Sequence, residues 1–450
     1  MARAAGRRPS LELLLILAAA LLSGATVWWG LGPHDEGLML QAARRIGDGQ
    51  WPYRDFWWNY GPGQPLLLAP FGGSLVAWRV VRLVLNVIVA WLAYRLTRQA
   101  VLVDPRYSRV RQDGLSAAAG LTVALAMAWP ATPGPNPAAL ALGLAAILIA
   151  QKRPVAGGAL AGIATLFRPE IGIAAAIGAG RKALAVACGV AVVVWLPFFL
   201  VAPGDLLDQT VGFLGIQDLQ RLPFPLDADT TDPNKLLEFY APLILVAATA
   251  VAALTKPPLA LIPLTLTSLL YLLGRTDEFH LIPLAAVLPI VLVQAQRVRA
   301  LALAIVALIA LHGADRIATL DRSEPAWGDH EAEVIRAIGD RTLFVAPPRF
   351  DRVTAGDPLL YVLAGKDNPT RYDVMQPGVV TTREVQEEIR DDLERAKPQV
   401  LVRWLDPRTA PEDNGSGRSS GVTLLDDYLR STYRRMARFG VYEVHERKGP

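Results

Sequence analysis

Leu184–Val201 reads LAVACGVAVVVWLPFFLV, an uncharged run entered through Arg181 and Lys182. As a helix it would reach about 27 Å, close to the roughly 30 Å hydrocarbon core of a bilayer. Comparable apolar runs lie on either side of it. N-terminal to it are Leu11–Trp29, Val76–Leu96, Leu115–Trp129, Pro137–Ala150, Val155–Phe167 and Ile171–Gly180. C-terminal to it are Phe239–Leu254, Pro258–Leu273, Leu281–Val293 and Ala300–Leu311. The expected architecture is a polytopic α-helical membrane protein with about ten or eleven spans. Several runs are short for a full crossing, and the two flanking Arg168-Pro169-Glu170 also fit one broken re-entrant pair.

The average composition conceals a division of the chain. Of 450 residues, 52% are hydrophobic and 19% charged, but charge is sparse up to residue 314 and dense from Asp315 onward. A multi-span region over 1–314 and a soluble domain over 315–450 are therefore expected. The arginines punctuate apolar runs instead of forming a stripe, which argues against a nucleic-acid partner. Cys188 is the only cysteine, so neither an internal disulfide nor a zinc site built on several cysteines is available. Arg3, Arg7 and Arg8 before Leu11–Trp29 resemble a signal peptide. The apolar stretch is nevertheless long, and no Ala-x-Ala-like site ends it, which favours a retained first span.

Lys and Arg in short loops set orientation. With the N-terminus in the cytoplasm, the inner loops collect Arg98, Arg106, Arg109, Arg111, Lys152, Arg153, Arg181, Lys182, Lys256, Arg297 and Arg299. The outer loops collect Asp35, Glu36, Asp48 and Asp55, then Asp205, Asp208, Asp218, Asp227, Asp229 and Asp232. An odd number of spans puts the C-terminal domain outside, as in a multi-pass protein of the plasma membrane.

The tail alternates β-like and amphipathic helical stretches. Thr342–Ala346 and Val400–Trp404 read as strands. Glu384–Ala396 reads as a helix with Val385, Ile389 and Leu393 on one face. Leu424–Phe439 reads as a second helix and Val441–His445 as a last strand, together an extracytoplasmic α/β domain. PEDNGSGRSSG at 411–421 is a flexible loop by composition, and its Asn414-Gly415-Ser416 sequon is read as chance. The chain carries no nucleotide-binding glycine fingerprint and no phosphate-loop lysine motif, which disfavours a nucleotide-driven pump or a Rossmann-type transferase.

The loop after the first span concentrates reactive groups: His34-Asp35-Glu36-Gly37, a helix-like stretch over Leu38–Ile46, a turn at Gly47-Asp48-Gly49, then Trp51 to Trp58. Two readings are open on spacing alone. One is a solvated loop with an interfacial aromatic belt. The other is a carboxylate at the membrane surface that takes a proton from an acceptor hydroxyl. Arg79 and Arg82 lie early in the second long span, where a charge is costly unless it snorkels to the outer interface or faces a cavity. Snorkelling is the expected arrangement, and contact with a lipid phosphate is the alternative.

HDEGLMLQAARRIGDGQWPYRDFWWNYGPGQPLLLAPFG at 34–72 resembles the first extracytoplasmic loop of the GT-C membrane glycosyltransferases, in the family 39-like branch of protein O-mannosyltransferase-like and aminoarabinose-transferase-like enzymes. Arg168-Pro169-Glu170-Ile171-Gly172 and the stretch from Arg275 to Pro283, RTDEFHLIP, resemble further elements of that family. The likeness covers the membrane region. It implies a polyprenyl-phosphate sugar donor, an acceptor hydroxyl on a protein, lipid or glycan, and inversion at the anomeric carbon. By this analogy Asp35 is the general base and Glu36 orients the acceptor or assists. Arg168 and Arg275 hold the donor phosphate, since an arginine fork suits phosphate oxygens. His280 hydrogen-bonds phosphate or sugar, and Asp277 and Glu170 pair with the neighbouring arginines. Some relatives use a divalent cation near the first-loop acids, for which Asp35, Glu36 and Asp55 offer oxygen ligands. No regularly spaced ligand set argues for a metal, and the expectation is none. A transporter or flippase of lipid-linked precursors is the main rival, although the two halves show no internal repeat. A non-catalytic envelope scaffold is a second rival.

Overall fold

The computed structural model describes residues 10–30, 32–102, 108–128, 134–222, 224, 226, 231, 233–253, 258–294, 298–320, 322, 329–412 and 414–449. The loop cations Arg3, Arg7, Arg8, Arg106, Lys256 and Arg297 and the loop acids Asp227, Asp229 and Asp232 lie outside the described residues. The chain is mostly helical, with one small sheet.

Helices α1 (Leu11–Thr26), α2 (Asp35–Gly47), α3 (Gly63–Leu68) and α4 (Leu75–Leu102) form the N-terminal part. They are followed by α5 (Arg109–Ala128), α6 (Asn136–Ala150), α7 (Pro154–Ala164), α8 (Pro169–Ala179) and α9 (Arg181–Val201). Next come α10 (Pro203–Thr210), α11 (Pro233–Ala253), α12 (Ile262–Gly274), α13 (Glu278–Leu292) and α14 (Arg299–Ala318).

Among the described residues, three helical stretches are long and apolar enough to cross a membrane: Leu75–Val101, Arg181–Val201 and Arg299–Ala318. The other apolar helices have 10–17 residues. Val192, Val193 and Leu200 of α9 are all more than 60% exposed, an apolar surface compatible with membrane association. In α4 the exposed side chains Val76, Val80, Val84 and Ile88 recur every fourth residue, so they form one stripe of the helix. Trp78, Arg79, Arg82 and Asn86 are buried on the other side. Helices α7 and α8 have 11 residues each. Each is therefore about 16 Å long, roughly half the thickness of a hydrocarbon core, and they meet at Arg168-Pro169.

The tail opens with α15 (Asp329–Ile338) and strand β1 (Leu343–Ala346), then α16 (Leu359–Ala364) and α17 (Arg383–Ala396). Strand β2 (Val400–Trp404), α18 (Leu424–Thr432) and strands β3 (Tyr433–Phe439) and β4 (Tyr442–Arg447) complete it. The sheet order is β1-β2-β4-β3, with β1 and β2 parallel and the other pairs antiparallel.

Two expectations change here. The helix anticipated over Leu424–Phe439 stops at Thr432, and Tyr433–Phe439 is an edge strand. Arg434 and Arg435 reach across the hairpin to Glu446 and Glu443. Cross-strand charge pairs of this kind stabilise an antiparallel ladder. The 411–421 loop is also ordered by contacts, apart from Asp413, which is outside the described residues. Asn414 accepts from Ser416 N–H, Ser419 donates to Asp351, and Gly415 packs on Leu219.

The first loop is clamped between the helices and the tail. Leu38, Leu40, Tyr53, Phe56 and Trp58 share a core with Phe198, Phe213, Phe344, Phe350 and Ile389. Arg45 at the end of α2 donates to Asp373 at 2.6 Å and to the Thr370 carbonyl at 2.8 Å, and both ionic side chains are buried. At the start of α2, Leu359 N–H donates to the Pro33 carbonyl. A Cβ on Gly37 would fall 2.3 Å from Leu359 N, so only glycine permits this approach. Breaking a buried ion pair from one side leaves an uncompensated charge and costs about 3–5 kcal/mol. Arg45→Met is accordingly expected to lower the unfolding midpoint of the purified protein markedly and to expose the tail to limited proteolysis. A variant that melts with the wild type would show that the pair does not hold the clamp.

Candidate active site

Asp35 and Glu36 open α2, yet they have different surroundings. Glu36 is 2% exposed and accepts a fork from Arg79 at 3.1 and 2.9 Å, while its Oε2 also accepts from Gly32 N–H. Arg79 itself donates to the Gly30 carbonyl at 2.6 Å. Glu36, expected to orient an acceptor, is thus committed to holding the loop against α4. The snorkelling expected of Arg79 and Arg82 is replaced by burial: both are 2% exposed.

Asp35 is half-buried, and its carboxylate accepts no hydrogen bond from any described residue. Its charge is felt at His34 and at Tyr60. Burial pushes the His34 imidazole pKa down, against the opposing pull of Asp35. Gly356 N–H donates to His34 Nδ1 at 3.3 Å, which leaves the proton of the neutral ring on Nε2. Burial likewise pushes the Tyr60 phenol pKa up, and its hydroxyl meets Gln376.

The second half of the site is a relay of side chains drawn from four parts of the chain. Arg168 precedes α8 in extended conformation and donates Nε–H to Glu170 at 2.6 Å. Its guanidinium lies 4.0 Å from the centroid of the Tyr271 ring, a cation–π contact. Tyr271 stacks on His280 with centroids 4.2 Å apart. The His280 ring bonds Asp277 at 2.6 Å, and Asp277 also caps α13 by accepting from His280 N–H. Arg275 bonds Asp277, the Gln220 carbonyl and both oxygens of Glu412. Four of its five N–H groups are therefore engaged, and Arg275, expected to hold a donor phosphate, is anchored by protein instead. Burial would raise the Asp277 carboxyl, but the His280 ring and the Arg275 guanidinium outweigh it and hold the group at about 2.

The two halves meet at the first loop. Gly63 N–H donates to the Leu166 carbonyl at 2.8 Å, and a Cβ on Gly61 would lie 2.1 Å from that oxygen. This contact seats Tyr60 beside the Arg168 turn, and Tyr60 feels Asp35, Arg168 and Tyr271 together. Arg275 is also close enough to act on His34. Asp35, Arg168, Glu170, Arg275, Asp277 and His280 are thus linked in one neighbourhood, whereas Asp55 pairs with Arg54 near the other end of α2. His34, quoted only as part of the first-loop motif, joins it, as do Tyr60, Tyr271, Gln376 and Glu412, which were not singled out. Tyr60 and Tyr271 carried only an aromatic signal, which reads equally well as interface or core, and Gln376 and Glu412 lie in the tail, with no motif around them.

As a metal set, Asp35, Glu36 and Asp55 do not fit. Glu36 is taken by Arg79, and Asp55 by Arg54 and Trp51 N–H. Among the described residues no three His, Cys, Asp or Glu side chains gather in a metal-holding group. No known family model matches the chain, and no curated protein matches it.

A carboxyl held at about 2 when folded, against an ordinary value of 3.8, contributes stability that is fully present above the unfolded value and lost as pH falls through the folded one. Asp277→Asn is expected to cost on the order of 2 kcal/mol at pH 6, with the deficit shrinking towards pH 2. Equilibrium unfolding of both proteins over a pH series checks this, and a pH-independent deficit would remove the ionised Asp277 from the relay.

Proposed function

We propose that this protein is a GT-C-type membrane glycosyltransferase that takes its sugar from a polyprenyl-phosphate carrier and passes it to an acceptor hydroxyl. In this reading the apolar helices form about ten or eleven spans, counting the short pair α7 and α8. The N-terminus is cytoplasmic, and the first loop and tail face the extracytoplasmic side of the plasma membrane. The observation that carries the proposal is the contrast between neighbouring acids: Glu36 is buried and paired, whereas the Asp35 carboxylate is partly exposed, accepts no hydrogen bond from the described residues, and acts on Tyr60 together with Arg168.

Asp35 acts as general base. It accepts the hydroxyl proton as the acceptor oxygen attacks the anomeric carbon, and the bond from that carbon to the phosphate oxygen breaks with inversion. The departing electron pair ends on the polyprenyl phosphate, where a fixed cation lowers the barrier. Arg168 supplies that cation: Glu170 takes Nε and one N–H of Nη2 and Tyr271 makes a further hydrogen bond, which leaves part of its five N–H groups. Arg275, Asp277 and His280 act as positioning residues that fix Tyr271 under Arg168. The acceptor is a protein, lipid or glycan hydroxyl, and the bilayer is the donor's solvent.

General acid–base groups contribute roughly 10²–10⁴-fold to a rate. Asp35→Asn is therefore expected to lower transfer of radiolabelled sugar from polyprenyl-phosphate donors by at least about 100-fold, with its unfolding midpoint unchanged. Transfer that survives would take the base role from Asp35. Absence of transfer by the wild type, with lipid, protein and glycan acceptors supplied, would favour a transporter or flippase of lipid-linked precursors.

A further inference from the structure

Arg82 is a buried cation without a counter-ion of its own. Its side chain is 2% exposed, its Nε finds no hydrogen-bond partner, and no ion pair holds it among the described residues. The nearest acid acting on it is Glu36, which Arg79 already occupies, and Arg79 opposes it with a like charge. Two guanidinium groups therefore share one carboxylate, and the group of three carries a net charge of +1. An uncompensated charge in a protein interior costs several kcal/mol, so a fold that keeps one has a use for it.

The unmet donors around it are concentrated on one side of α4. Trp78 Nε1 and Arg79 Nη1 are also buried without a partner among the described residues. Residues 78 and 82, and 79 and 82, are neighbours on a helix surface at spacings of four and three. The lipid-type stripe of Val76, Val80 and Val84 lies elsewhere on the helix. Three N–H donors, two of them cationic and none matched by an acceptor, suit an anion with several acceptor oxygens.

We infer that Trp78, Arg79 and Arg82 form a phosphate subsite inside the helical region, immediately behind the acidic pair that opens α2. The occupant is a phosphate monoester or diester group. That it is the phosphate of the polyprenyl carrier rests on the transferase reading, but the subsite itself does not.

The test uses full-length protein in detergent, titrated separately with undecaprenyl phosphate, undecaprenol and inorganic phosphate while thermal unfolding is followed. Wild type should be stabilised by undecaprenyl phosphate and not by undecaprenol. Arg82→Met should unfold no earlier than wild type, because it removes an unpaired buried charge, and should bind undecaprenyl phosphate at least about tenfold more weakly. Trp78→Phe, which deletes a single N–H, should weaken binding by a smaller factor and keeps the test usable if Arg82→Met does not fold. An equal, Arg82-dependent response to inorganic phosphate would support the subsite and assign it to free phosphate instead of lipid. Unchanged binding of undecaprenyl phosphate in both variants, or no response of the wild type to either phosphate, would overturn the subsite. Neither result bears on the Asp35 assay, so sugar transfer can stand while the subsite falls. Arg82-dependent binding without sugar transfer would do the reverse.

Discussion

Helix α2 is pinned at both ends by buried charge, and the rest of the molecule is arranged around that fact. At its N-terminus the Glu36 carboxylate is forked by Arg79 of α4. At its C-terminus Arg45 is forked between Asp373 and Thr370 of the tail. Each pair is desolvated, so each contributes only while its geometry is complete, and losing one partner is expensive. Because one pair faces the helices and the other faces the tail, α2 fixes the separation between them. The aromatic turn that follows fills the remaining space with Tyr53, Phe56 and Trp58, none of them exposed to solvent.

That clamp explains why neighbouring carboxylates in one motif have different fates. A helix start presents successive residues about 100° apart, so Asp35 and Glu36 cannot both point at α4. The side chain that does becomes a structural anion, and the other is left on the open side. The same geometry accounts for Gly37, where the tail backbone comes too close for any Cβ. Asp, Glu and Gly thus occupy successive positions for distinct physical reasons.

The relay from Arg168 to Glu412 has a comparable logic. Each member is fixed by the next through a charge-assisted bond or a ring face, so that Arg168 is held by a chain ending in a tail loop. On the proposed transferase reading, preorganised charge of this kind would need no reorganisation as a phosphate arrived or departed. The tail is then more than an appendage, since Glu412 takes two N–H groups of Arg275, and Gly356 and Gln376 reach His34 and Tyr60.

Local sequence determined a good deal. The apolar runs marked where helices lie, because length and hydropathy are properties of a segment by itself. The strands at 343–346 and 400–404 and the helix over 383–396 were legible from periodicity for the same reason. So was the clustering of reactive types at 34–36, 168–170 and 275–280. Partnership was not legible. Whether Leu424–Phe439 stays helical depended on a strand that pairs with its second half, and whether 411–421 is loose depended on Arg275, some 137 positions away. The roles of Glu36, Arg82 and Arg275 turned on how many of their hydrogen-bonding atoms other segments satisfy. A pattern of residue types specifies a helix or a charge, but only the folded chain decides which buried charges are paired, since desolvation and pairing are properties of an environment assembled from distant segments.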